Sequence, residues 1–214
     1  MNQAHFSYLF PDPLYSVNLD GEVEPNLIRI LEPCLDKDNL RPNDHNSITK
    51  NDRLLDTVLA DSRLRAVIVD QIHVYKHNIL GLGDNVELRI TQSWMNYNRA
   101  GERHHRHNHP NSIISGVFYV QMEENTSEFM VHRHMNSAVP VLDPLPEYQT
   151  EWNAPSMKFN PRPYDLYLFP SQMLHSVTQN RSSVPRISIS FNTFYNGEFY
   201  AGTNKLAKLR INVE

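Results

Sequence analysis

The stretch RHHRHNHPNSIISGVFYV, Arg103 to Val120, places His104, His105, His107 and His109 just ahead of a run that reads as a buried strand. Side chains alternate along extended backbone, so an H-x-H pair entering a strand points both imidazoles the same way. Two close imidazoles repel as cations, but as neutral groups they chelate one divalent ion. His107 and His109 have this spacing, and so do His105 and His107. Either pair alone is a weak signal, and a solvated, histidine-rich turn is its plainer description. A third imidazole is offered by His175 in YDLYLFPSQMLHSVTQN, where a strand and a Pro-containing turn lead into a short β segment. Further on, Arg186 and Ser188 form an Arg-x-Ser pair. An arginine projecting into a barrel grips a carboxylate through two parallel hydrogen bonds, and a serine hydroxyl adds a third. Together these residues describe a metal site coupled to a carboxylate-bearing co-substrate.

The elements that must position them divide the chain near Gly83. From about Val23 to Gly81 the pattern is helical, as in NLIRILEPCL and DRLLDTVLADSRLRAVIVDQIHVYKHNIL, with apolar residues three and four apart. After Gly83 come short runs rich in β-branched and aromatic residues: VELRITQSWMNYN, SIISGVFYVQM, EFMVH, DLYLF and RISISFNTFY. Strands in succession without intervening helices predict a sandwich or barrel. In the last run Arg186, Ser188, Ser190 and Asn192 share one face, and Ile187, Ile189, Phe191 and Thr193 the other. Ser115 and Tyr119 share a face of the strand Ser112–Gln121, opposite Ile114, Phe118 and Val120. The polar faces suit either a wet sheet surface or the lumen of a barrel holding a polar ligand. Pro140 to Pro163 holds six prolines and reads as a long binding loop or lid.

The 214 residues carry a net charge of −4, so no basic field points to nucleic acid or an anionic membrane. No apolar run is long enough to span a bilayer, and the first residues do not read as a secretory signal. Cys34, the single cysteine, excludes an intrachain disulfide, fits a reducing cytoplasm and reads as a structural thiol.

GERHHRHNHPNSIISGVFYV, YLFPSQMLHSV and RISISFN, in that order, resemble the 2-oxoglutarate/Fe(II) oxygenases of a bacterial and phage type. The resemblance covers Ser93 to about Asn192 and extends more loosely to FPDPLY near the N-terminus. It implies a mainly β, double-stranded β-helix (jelly-roll) core over 84–196. An N-terminal segment with supporting helices, 1–83, and a C-terminal extension, 197–214, would complete a single domain. It further implies that His107, His109 and His175 hold Fe(II), and that Arg186, Ser188 and Tyr119 bind 2-oxoglutarate, with Asn96 beside them. The implied reaction is hydroxylation of a C–H bond in a protein side chain or small metabolite, with release of succinate and CO2 and with ascorbate in support.

One departure stands out. Most of the wider superfamily has a carboxylate where this chain has His109, and three neutral imidazoles leave a divalent ion's charge unbalanced. Such a set suits Zn, Ni and Cu as well as Fe. Two other readings therefore stand beside the first: a cupin-type three-histidine metalloenzyme without 2-oxoglutarate, and a non-catalytic, ligand-binding jelly-roll. His105 in place of His109 is an alternative ligand set. His132 and His134 form a further H-x-H pair with no third partner in the sequence, and read as surface histidines.

Overall fold

Residue alternation after Gly83 becomes two antiparallel sheets packed face to face. The computed structural model describes residues 7, 11–133, 145–201 and 204–213. In chain order these form β1 (Tyr15–Asn18), α1 (Leu27–Leu31), β2 (Leu40–Asn43), β3 (Asn46–Thr49), α2 (Arg63–Asn78), β4 (Val86–Asn98) and β5 (His104–His107). They continue with β6 (Ile114–Gln121), β7 (Phe129–His132), β8 (Ser156–Phe159), β9 (Asp165–Pro170), β10 (His175–Val177), β11 (Arg186–Ala201) and β12 (Asn204–Ile211). The larger sheet runs β1-β9-β6-β11-β4-β3-β2, with β12 on β11, and the smaller runs β5-β10-β7-β8. Pairing between strands far apart in sequence, β6 with β11 and β5 with β10, gives the jelly-roll its double wind.

Alternation decides what each face of the large sheet meets. Ile187, Ile189 and Phe191 of β11 join Ile114 and Phe118 of β6 in a core that α2 covers with Leu64, Ile68 and Ile72. Those α2 residues recur every fourth position, which keeps them on one stripe of the helix. Ser62 caps the helix, its hydroxyl accepting the Arg65 N–H at 3.0 Å. On the inner face Val117, Tyr119, Tyr167 and Phe169 meet Phe129 of the small sheet. Gly116 is required where β6 crosses β11, because a Cβ there would lie 2.2 Å from the Phe191 ring.

Two expectations are corrected. Helical spacing over 23–81 holds only for α1 and α2; between them β2 and β3 form a hairpin that extends the large sheet beside β4. Backbone pairing with an existing sheet edge outweighed a weak local periodicity. Within 140–163, residues 140–144 lie outside the described residues, but Ser156–Phe159 is a strand on β7 rather than loop. Its prolines, Pro155 and Pro161, flank the strand and leave its ladder intact. No described helix is long and apolar enough to cross a membrane.

Candidate metal centre

His107 ends β5 and lies directly opposite His175, the first residue of β10. Their ring centroids are 4.3 Å apart. His109 lies two residues past the end of β5, and its backbone N–H donates to the Ser171 carbonyl at 2.8 Å. That bond turns its ring back to 4.9 Å from His107 and 5.1 Å from His175. One nitrogen from each of the three lies within 4.8 Å of the other two. The trio expected from the sequence is therefore assembled. The histidines do not enter the strand that follows them, as the alternation suggested; they form their own short strand in the opposite sheet.

Hydrogen bonds fix which nitrogen is free. Nδ1 of His107 lies 2.9 Å from the His105 carbonyl, and Nδ1 of His175 lies 2.9 Å from the Met173 carbonyl. A carbonyl only accepts, so both Nδ1 atoms carry hydrogen and both Nε2 lone pairs remain for a ligand. Burial disfavours the imidazolium in each ring. It pushes His175 down to about 3 and His109 to about 4, with neighbouring His107 adding to both, and it lowers His107 as well. Neutral rings with free lone pairs are the form in which imidazole binds a cation. Phe169 and Phe129, with centroids 4.8 and 5.5 Å from His175, wall the site with apolar rings.

Arg186, Ser188 and Asn96 line the same cavity from the large sheet. Arg186 is 2 % exposed, and no carboxylate pairs with it among the described residues. Its guanidinium sits 5.0 Å over the buried Tyr119 ring and donates one long bond, 3.5 Å, to Asn98 Oδ1. Arg186 Nε and the Tyr119 hydroxyl, both buried, have no partner. A buried cation with unused donors is costly unless an anion completes it. Asn96 has its amide engaged: it donates to Ser190 Oγ at 2.8 Å and to Ser188 Oγ at 3.4 Å, and accepts from Trp94 Nε1 at 3.2 Å. Three neutral imidazoles and an unpaired guanidinium fit a divalent metal and a dianionic co-substrate held side by side.

Sequence reading assigned His104 no role in the site. It lies in β5, lines the cavity, and stacks on His107 with centroids 4.5 Å apart. Burial, then the neighbouring imidazoles and Arg186, push it down to about 2. Its inward direction depends on a register shift in β5 that period-two counting does not reveal. His105 also lies in β5, its Nδ1 3.4 Å from the Asp44 carboxylate. His132 stays apart from the cluster, its Nε2 2.8 Å from Ser176 Oγ, while His134 lies outside the described residues.

Comparison with known proteins agrees with this architecture. No curated protein matches the chain. Among solved structures, the epimerase SnoN in complex with Fe3+, alpha ketoglutarate and nogalamycin RO is 14 % identical, with a TM-score of 0.61 over 90 % of this chain and 87 % of that one. HygX from Streptomyces hygroscopicus with nickel and 2-oxoglutarate bound is 10 % identical, with a TM-score of 0.57 over 95 % and 93 %. A Pseudomonas putida prolyl-4-hydroxylase is 14 % identical, with a TM-score of 0.53 over 85 % and 92 %. At these identities the likeness is one of fold. The family model described as "Putative 2OG-Fe(II) oxygenase" matches residues 92–192. That segment, just under half of the chain, contains His107, His109, His175, Arg186, Ser188, Tyr119 and Asn96, and over it the chain is similar to that oxygenase family.

Proposed function

We propose that this chain uses Fe(II), 2-oxoglutarate and O2 to hydroxylate a C–H bond of a protein side chain or small molecule. In that reaction one oxygen atom enters the substrate as hydroxyl; the other enters the succinate formed as 2-oxoglutarate loses CO2. The observation that carries the reading is the buried, unpaired Arg186 in the same cavity as the His107–His109–His175 trio. SnoN and HygX have been crystallised with a metal and 2-oxoglutarate together, in line with such a pairing.

Iron, when bound, supplies oxygen activation. The chain's own residues do the rest. Nε2 of His107 and His175, oriented by the carbonyls on their Nδ1 atoms, together with His109, would hold the ion. Arg186 would take the distal carboxylate of 2-oxoglutarate, with the Tyr119 and Ser188 hydroxyls completing its hydrogen bonds. Asn96 acts from behind, holding the Ser188 and Ser190 hydroxyls in place. Phe129 and Phe169 keep water from the His175 side. An open groove lined by Arg41, Asn43, Gln92, Trp94 and Asn108 leads to the histidines and suits a polar substrate. A single half-buried cysteine fits a cytoplasmic setting.

Succinate formation from 2-oxoglutarate tests the reading, with anaerobically purified protein given Fe(II) and ascorbate before O2. Wild type should form succinate slowly even without a prime substrate, and His175→Ala and Arg186→Ala should form none. The histidine at position 109 favours a second reading, a three-histidine metalloenzyme without 2-oxoglutarate. Under it, Arg186→Ala would leave metal-dependent activity intact and no 2-oxoglutarate would bind.

A further inference from the structure

Strand β5 holds one residue more than the β10 segment it pairs with: His107 faces His175, yet His104 faces Val177. Such a bulge re-aims side chains that a regular strand would send to opposite faces. Here it gathers His104, His105 and His107, so that one nitrogen from each lies within 4.8 Å of the other two. The ring centroids are 4.5 to 5.1 Å apart.

Each of these rings also has a polar neighbour at one nitrogen. Nδ1 of His107 is 2.9 Å from the His105 carbonyl. Nδ1 of His105 is 3.4 Å from the Asp44 carboxylate, within ion-pair reach. Nε2 of His104 is 3.2 Å from the Asn43 amide nitrogen, which also donates to Asn46 Oδ1 at 3.1 Å. Asn43 and Asp44 both belong to the β2–β3 turn, where Asp44 takes a left-handed φ of 53°. Histidines that bind metal commonly have the remote nitrogen tied in this way to a carboxylate or carbonyl, which sets tautomer and ring direction.

We infer that His104, His105 and His107 form a second, outer site for a late divalent cation such as Zn2+, oriented by the β2–β3 turn and competing with the inner trio for His107. Competition follows from hydrogen bonding: with Nδ1 committed to a carbonyl, His107 has one lone pair and serves one trio at a time. The outer trio lines the open groove, as does His109, whereas His175 lines only the deeper cavity. An ion arriving through the groove therefore meets His105 before His175. Three imidazoles without a bound carboxylate favour Zn, Ni or Cu over Fe. Excess zinc therefore draws His107 away and lowers loading of the inner site.

Zinc binding by the full chain, followed by equilibrium dialysis against a chelator-buffered Zn2+ series, tests this without any catalytic assay. His175→Ala breaks the inner trio and leaves the outer one whole. That variant should retain one zinc per chain. Adding His104→Ala and His105→Ala should weaken it at least about 100-fold, and adding Asp44→Asn about 10-fold. Wild type should bind one zinc, not two. The inference is overturned if His175→Ala binds no zinc, if its zinc is indifferent to the outer substitutions, or if wild type binds two. His104→Ala alone, still loading the inner site, shows that the altered strand folds. Should the combined variant not fold, Asp44→Asn in the His175→Ala background decides. Failure of the oxygenase reading would appear separately, as absence of succinate in wild type.

Discussion

The Arg186 guanidinium lies 5.0 Å over the ring of Tyr119, both are buried, and Arg186 Nε and the Tyr119 hydroxyl each lack a hydrogen-bond partner. Stacking on an aromatic face holds the guanidinium fork in one plane while leaving its edge to bind. An arrangement that wastes buried donors in the free protein is prepared for an anion. Replacing Arg186 by Met should therefore leave the melting temperature unchanged or raise it, because an unpaired buried charge is removed. The same change should weaken 2-oxoglutarate binding by about 100-fold or more, a loss of roughly 3–5 kcal/mol. Calorimetric titration of the nickel-loaded protein with 2-oxoglutarate, beside a thermal melt, measures both.

Tyr119→Phe is a gentler probe of the same pair. The lost hydroxyl has no partner in the free protein, so stability should be unaltered or slightly greater. Binding of 2-oxoglutarate should weaken by about 10-fold, the worth of one hydrogen bond to a charged group of roughly 1.5 kcal/mol. A stability loss with unchanged affinity would mean that the hydroxyl serves the fold.

Acid should destabilise the metal-free protein in a defined window. Burial holds His175 near 3, His109 near 4 and His104 near 2, whereas unfolded histidine titrates near 6.5. Between those values the unfolded chain binds more protons than the folded one, so stability falls as pH falls from about 6.5 towards 4 and is flat above about 7. Urea midpoints from pH 7.5 to 4.5 should show this slope, reduced in His175→Ala by up to one proton. In the folded protein, protons compete with a bound metal for these lone pairs only as pH approaches the folded values near 4 and 3.

Two core substitutions separate the scaffold from the site. Gly116→Ala would place a Cβ 2.2 Å from the buried Phe191 ring, and should cost about 1–3 kcal/mol through overpacking. Phe169→Ala opens a void against His175 and should cost about 3–5 kcal/mol. It should also lower metal affinity, because His175 loses the ring that confines it. Denaturant unfolding and zinc dialysis on the two variants distinguish packing from ligand positioning: Gly116→Ala should leave metal affinity near wild type.

By itself the sequence picked out the candidate site. His107, His109, His175, Arg186 and Ser188 stand out because a metal or carboxylate ligand needs particular atoms, and period-two alternation sorts β11 into an apolar face and a polar one. Ile187, Ile189 and Phe191 enter the core and Arg186, Ser188 and Ser190 enter the cavity as that alternation requires. Tertiary structure alone decided what joins them. The β2–β3 hairpin was masked by helical spacing, and the strand Ser156–Phe159 by surrounding prolines, because both depend on a sheet edge supplied by distant residues. His104 was unreadable for the same reason. Its direction is set by one extra residue in β5 relative to β10, and register between strands some 70 residues apart is a property of their pairing, not of either strand.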